Sequence, residues 1–336
     1  MTQSKRHLRL PGAHNIRDLG GYRAAGGRMT PWRRFLRADS PHRLAVAEQG
    51  LLREEGLATV IDLRTVDELA AGPNPFAAVE GLGFHNLPLF DDLSPVLMAR
   101  EEARPEDPLL HFYLTALDQR GSAIRDILRT IAGADRGAVM FHCTAGKDRT
   151  GIIAALLLGL AEVPAEEIVA DYAMTEDLIT DLVAEFLELS RQRGGDVVAY
   201  ARLLRAPAET MQKTLAHIEA RYGSVSGYLD TIGLAPGDRS ALRDRLVLGA
   251  GDGGADALWR AHLARMEQVA SAARPVAPDA RLRWRDPVAL RLAGMVALVM
   301  ALVFAPAGQL GQGLAALGAT FRPLPEARPG AEAGPS

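Results

Sequence analysis

A single cysteine, Cys143, stands in the run His142-Cys143-Thr144-Ala145-Gly146-Lys147-Asp148-Arg149-Thr150-Gly151, between an apolar segment and a helical pattern. Upstream, Ala138-Val139-Met140-Phe141 reads as a short buried strand. Downstream, Ile152, Ile153, Leu156, Leu157 and Leu160 recur at the spacing of one helix face. The order is strand, tight loop, helix start. Such a loop aims backbone N–H groups and the positive end of the helix dipole at one point, which makes a socket for an oxyanion. A helix N-terminus with Lys147 and Arg149 beside it favours the thiolate, so a nucleophilic Cys143 is predicted.

Cys143 and Arg149 bracket five residues, enough chain to curl so that the sulfur lies at the floor and a guanidinium clamps a phosphoryl group from the side. Arginine suits the task because its planar fork donates two parallel hydrogen bonds to phosphate oxygens and stays charged. Thr144, Ala145, Gly146 and Lys147 would supply the phosphate-binding amides, and Thr150 would place a hydroxyl near the sulfur to stabilise it as a leaving group. A nucleotide-binding loop of the Walker kind does not fit, because Asp148 follows Gly146-Lys147 where Ser or Thr is required. Arsenate reduction needs resolving cysteines, and this chain has one cysteine in all. Sulfur transfer of the rhodanese kind usually has one residue fewer before its basic residue.

The segment from Cys143 to Arg149 resembles the active-site loop of cysteine-dependent protein tyrosine and dual-specificity phosphatases, above all the bacterial tyrosine and lipid phosphatases with a Gly-Lys-Asp-Arg loop. Three further stretches resemble signatures of that family: Leu10-Pro11-Gly12 through Asn15-Ile16-Arg17-Asp18-Leu19-Gly20-Gly21-Tyr22, then Ile61-Asp62-Leu63-Arg64-Thr65 with Glu68, then Tyr222-Gly223-Ser224 through Gly227-Tyr228-Leu229. Together they cover about residues 8 to 248. The resemblance implies hydrolysis of phosphate monoesters through a phosphocysteine, with no metal and no cofactor. It implies an α/β fold with a phosphatase-like central sheet, flanking helices and a helical lid, here residues 165 to 205 with Gly194-Gly195 as a pivot. The general acid is expected at Asp148, inside the loop, with Asp91 and Asp92 as the alternatives. His142 would hold loop backbone, and Asp62 with Arg64 would lie beside the loop and orient it. Lys147 would put a second charge over the pocket, as in similar loops that act on inositol 3-phosphates. Phosphotyrosine in proteins is therefore the expected substrate, with phosphoserine, phosphothreonine or phosphoinositides as further candidates. The competing readings are a membrane lipid phosphatase specific for phosphoinositides and a phosphate-binding module without turnover.

The chain has 336 residues, 48% of them hydrophobic, which suffices for a packed core. A net charge of −3 without a basic stripe argues against nucleic acid as a partner. One cysteine rules out an intramolecular disulfide. Residues 1–15 hold no apolar stretch of signal-peptide length, so a cytoplasmic catalytic domain is expected. Strands are predicted at Arg34 to Arg37 and near Val60, Phe84 and Val139, with helices from about Ser40, Thr65, Pro108 and Gly121, an α/β order. Leu178, Leu182, Phe186 and Leu189 predict one further amphipathic helix.

After residue 248 the composition changes. Residues 249–286 read as a Gly- and Pro-interrupted linker with a short helix around Leu258 to Val269. Residues 287–308 are apolar or small apart from Arg291, and they are long enough to cross a bilayer if that side chain snorkels. Arg281, Arg283, Arg285 and Arg291 sit on the near side of this run, which by the positive-inside rule keeps the catalytic domain at the inner face, with Trp284 at the interface. The alternative is a helix that packs on the domain or on another subunit. Residues 309–336, rich in Pro, Ala and Gly, carry no pattern of a packed element.

Overall fold

The computed structural model describes residues 6–90, 107–134, 136–192 and 194–247, together with Ala264. Five strands form one sheet: β1 (Arg17–Asp18), β2 (Phe35–Ala38), β3 (Leu57–Asp62), β4 (Gly83–Asn86) and β5 (Ala138–His142), in the order β1-β2-β5-β3-β4. Only the β1–β2 pairing is antiparallel. β5 lies at the centre, with all five residues buried, and aligns His142 with Ala38 on one side and Asp62 on the other. The loop that follows β5 therefore emerges between the ends of two neighbouring strands.

Alternation along the strands divides the core. Phe35, Ile61, Val139 and Phe141 face one apolar cluster, while Leu36, Val60 and Met140 face a second that includes Leu8, Leu10, Ile16, Leu51, Leu52 and Phe76. α1 (Val46–Glu54) and α2 (Val66–Ala71) precede β4, and α3 (Pro108–Gln119) and α4 (Gly121–Gly133) lead into β5. Seven more helices follow: α5 (Asp148–Leu160), α6 (Ala165–Leu178), α7 (Thr180–Gln192), α8 (Val197–Leu204), α9 (Ala208–Tyr222), α10 (Val225–Thr231) and α11 (Pro236–Leu246). α5 is buried on every side, beyond the single face read from its sequence, with Ile152, Ile153, Ala154, Ala155, Leu156, Leu157, Leu158 and Leu160 all in the core. Each such leucine contributes about 1.5–3 kcal/mol by burial, so the loop that precedes α5 is rooted on a deeply buried helix.

The α/β class and the central strand match the expectations, and several boundaries move. Ser40 opens a 3-10 turn at Pro41–Arg43, and α1 starts only at Val46, because Leu44 and Ala45 are extended and the Glu48 carboxylate receives the Ala45 amide at 2.7 Å. The stretch through Leu178 and Leu189 is two helices, with Ile179 between α6 and α7. α6, the first helix of residues 165–205, has Asp171, Tyr172 and Thr175 buried and packs on α5 and α9. Strand β1 had no pattern of its own. Among the described residues no helix is long and apolar enough to cross a membrane, and residues 287–308 lie outside them.

Candidate active site

In the loop between β5 and α5 the carbonyls of four consecutive residues, 143–146, accept from donors outside the loop, and that of Lys147 accepts from α5. His142 Nδ1 donates to Cys143 O at 3.1 Å, and the Ser40 amide donates to Thr144 O at 3.0 Å. Asn15 Nδ2 donates to Ala145 O at 2.9 Å and to Gly146 O at 3.2 Å, and Arg37 Nη2 donates to Gly146 O at 2.8 Å. The Gly151 amide closes on Lys147 O at 2.8 Å. Because a trans peptide points its N–H opposite to its C=O, outward carbonyls leave the following amides facing the other way, into the loop. The amides of residues 144–147 donate to no backbone carbonyl among the described residues. Gly146 is in the left-handed region, φ +66°, and a Cβ there would come within 2.5 Å of Ala38 O, so glycine is required on both counts.

Cys143 lies at the loop floor, buried and unpaired. Arg149 stands in the first turn of α5, six residues along the chain from Cys143. Burial works against the Arg149 charge, but Glu68, then Cys143 and Asp148, outweigh it and hold the guanidinium protonated. Glu68 takes both end nitrogens of Arg149, Nη1 to Oε2 at 2.6 Å and Nη2 to Oε1 at 2.9 Å. Nη2 also meets the Thr144 hydroxyl at 3.4 Å. Glu68 also receives the Thr144 hydroxyl at 2.5 Å and the Thr65 amide at 2.9 Å. Burial raises its pKa, yet Arg149, Thr144 and the Thr65 amide reverse this and hold it down at about 2. Glu68 is the third residue of the capping box that opens α2, so one carboxylate ties that helix start to the loop arginine.

Asp148 opens α5 with its side chain 28% exposed. Its Oδ1 accepts the Tyr113 hydroxyl at 3.0 Å and lies 3.4 Å from Lys147 Nζ. Tyr113 in turn meets the Tyr172 hydroxyl at 3.0 Å. Burial, reinforced by the charge of Asp148, pushes the phenols of Tyr113, Tyr172 and Tyr200 up, so all three remain protonated around this carboxylate. Phe90 and Phe112 extend the aromatic wall, their rings 4.7 Å apart, with Tyr113 edge-on to Phe112 at 6.0 Å.

Several expected residues fall elsewhere. Lys147 does not stand open over the loop: its ammonium is buried and donates to Leu203 O and, at 2.8 Å, to Arg205 O, fastening the end of α8. The Thr144 hydroxyl is committed to Glu68. The Thr150 hydroxyl is buried without a hydrogen-bond partner among the described residues, so no bond to the Cys143 sulfur is formed. Asp62 and Arg64 pair at 2.6 Å and are fully buried; they reach the loop only through His142, whose Nε2 lies 3.3 Å from Asp62 and 2.8 Å from Asn74 Nδ2. Burial raises the Asp62 pKa, but His142 and Arg64 more than reverse this and hold it well below the carboxylate range. Asp91 and Asp92 lie outside the described residues. Reading the sequence missed Asn15, Arg37, Asn74, Tyr113 and Asp171 as site residues. Glu68 carried a signal that was open to use, the Thr65-to-Glu68 capping-box spacing.

The loop and the start of α5 carry a buried thiol, amides without backbone acceptors, an arginine and a partly exposed carboxyl, the groups that in-line transfer of a phosphoryl group uses. A family model described as the tyrosine phosphatase family matches residues 8–248, and a domain of unknown function matches residues 228–333. A tyrosine-protein phosphatase of Nostoc commune is 33% identical over 217 residues, covering 63% of this chain and 74% of its own length. The triple specificity protein phosphatase PtpB of Mycobacterium tuberculosis is 29% identical over 275 residues, covering 71% of this chain and 98% of its own.

Proposed function

The chain belongs to the tyrosine phosphatase family and is a protein phosphatase, and on that premise we propose which of its residues carry the reaction. What carries the reading is the loop from β5 to α5, whose carbonyls at residues 143–146 are held by His142, Ser40, Asn15 and Arg37, with Cys143 at its start and Arg149 just past its end. The Cys143 thiolate attacks phosphorus and the P–O bond to the leaving group breaks. Inward amides and the Arg149 guanidinium stabilise the equatorial oxygens. Asp148 gives its proton to the departing oxygen, then takes one from the water that releases phosphate from the sulfur. Tyr113 orients that carboxyl through its 3.0 Å bond.

Replacing Asp148 by Asn is expected to slow hydrolysis of poor leaving groups, such as alkyl phosphates, by about 10²–10⁴-fold while leaving p-nitrophenyl phosphate much less affected. A dependence on leaving-group pKa that is equal in parent and variant would place the acid elsewhere, with Asp91 and Asp92 next to be changed.

For the substrate, the tyrosine phosphatase family and a relative that is itself a tyrosine-protein phosphatase favour phosphotyrosine in proteins. With Lys147 committed to the carbonyls of residues 203 and 205, the loop has lost the second open charge that argued for inositol phosphates. Phosphoserine, phosphothreonine and phosphoinositides are the secondary candidates, and the name of the mycobacterial relative, a triple specificity protein phosphatase, supports more than one substrate class. Residues 287–308 would hold the enzyme at the inner membrane face. Cell fractionation of the full chain against a truncation at residue 273 tests this: the full chain is expected in the membrane fraction and the truncated one in the soluble fraction. Equal solubility rules the anchor out.

A further inference from the structure

We propose that Asn15, Arg37 and Asp171 are positioning residues of the phosphate cradle, setting the direction of its amides from behind. The inference rests on the phosphatase reading above and deepens it. Asn15 spends both protons of its Nδ2 on the carbonyls of Ala145 and Gly146. By the planarity of the peptide unit, this fixes the amides of Gly146 and Lys147 toward the loop interior. Arg37 adds a second donor to Gly146 O and is itself held by Asp171, Nη1 to Oδ2 at 2.5 Å. The Asp171 carboxylate also receives Arg17 Nε at 3.0 Å and the Tyr22 hydroxyl at 2.9 Å. Arg17 closes the circuit by donating to Asn15 Oδ1, so the Asn15 amide cannot flip without losing a charged partner.

Asn15, Arg17, Arg37 and Asp171 are each no more than 2% exposed, so none touches a substrate directly. Their contact with the reaction is through two peptide planes only. Inward amides stabilise equatorial oxygens only if they are already aimed before phosphate arrives, and a misplacement near 1 Å costs about 10²-fold. The N-terminal segment thus reaches the cradle across about 130 residues of chain, and Asp171 of α6 braces it through Arg37 and Arg17.

The test uses Asn15→Asp in the full chain. The substitution keeps size and the oxygen that accepts Arg17 but removes both Nδ2 donors. Inorganic phosphate affinity is measured by calorimetry, alongside kcat and KM for p-nitrophenyl phosphate, the alkylation of Cys143 and the thermal midpoint. The expected result is phosphate binding weakened about tenfold and kcat lowered about tenfold to a hundredfold, in a protein that still unfolds cooperatively and in which Cys143 is alkylated to the same final extent. Arg37→Lys, which can keep Asp171 but not also reach Gly146 O, is the second variant and is expected to weaken phosphate binding about threefold to tenfold. Phosphate affinity and kcat within twofold of the parent in either folded variant would overturn the inference, as would a loss fully matched by a smaller alkylatable fraction. Absence of turnover in the parent would instead sink the phosphatase reading.

Discussion

Arg149→Ala is expected to lower kcat by about 10³–10⁴-fold and, unusually for an active-site substitution, to destabilise the fold by about 3–5 kcal/mol. The first effect follows from removing the one cation placed to neutralise charge on the transferring phosphoryl group. The second follows from Glu68, which is buried and would lose the guanidinium bonded to both its oxygens. The pH dependence separates the two. In the parent, the Glu68 pKa lies at about 2 when folded, below its ordinary 4.5. A depressed folded pKa contributes stability that is fully present above the unfolded value and is lost as pH falls from about 4.5 to about 2. Without Arg149 only burial and two weaker donors act, the folded pKa moves up, and stability must instead fall as pH rises past 4.5. Urea unfolding of parent and variant between about pH 2 and about pH 8 reads this directly, because the series spans both the window from about 4.5 to about 2 that the shift defines and the rise past it. Arg149→Lys restores part of the stability and little of the rate, since an ammonium offers no planar fork. A stability profile parallel to the parent's would show that Glu68 does not depend on Arg149.

Cys143→Ser is expected to reduce turnover by at least about 10⁴-fold while inorganic phosphate still binds within a few-fold of the parent affinity. The amides and the guanidinium that hold phosphate do not belong to the side chain at position 143. The alcohol lacks the thiolate's nucleophilicity and is a poor leaving group in the second step. The buried setting favours a soft change, because Cys143 is 2% exposed and oxygen is smaller than sulfur, so no clash arises. Retained turnover would move the nucleophile elsewhere. Loss of phosphate binding along with turnover would mean that the substitution had unmade the cradle itself.

The parts of this site that the sequence discloses are those made by neighbours in the chain. Ala138 to Leu160 announces a strand, a turn and a buried helix because apolar period, glycine and helix start lie within one short segment, and the structure builds them as read. What brings Glu68 to Arg149 is half visible, since the Thr65 capping box shows where α2 begins but not what its carboxylate faces across the sheet end. Asn15, Arg37 and Asp171 give no local sign at all. Their partners are more than 100 residues distant, and a polar residue bound for the interior carries the same letter as one bound for solvent. Lys147 was misjudged for a related reason: a flexible four-carbon stem lets the ammonium turn away from the loop to whichever carbonyls the packing of α8 leaves open. The expectation for Thr150 fails on a smaller scale, its hydroxyl buried but unbonded.

Acid quench during turnover of a phosphate-labelled aryl ester, followed by peptide mapping, tests the covalent claim most directly. The account predicts one phosphoryl group per chain, on the sulfur of Cys143, accumulating to a higher level when the step that releases phosphate is slowed by Asp148→Asn. A phosphoryl group on any other side chain, or full turnover with no labelled protein at any quench time in either form, would contradict it.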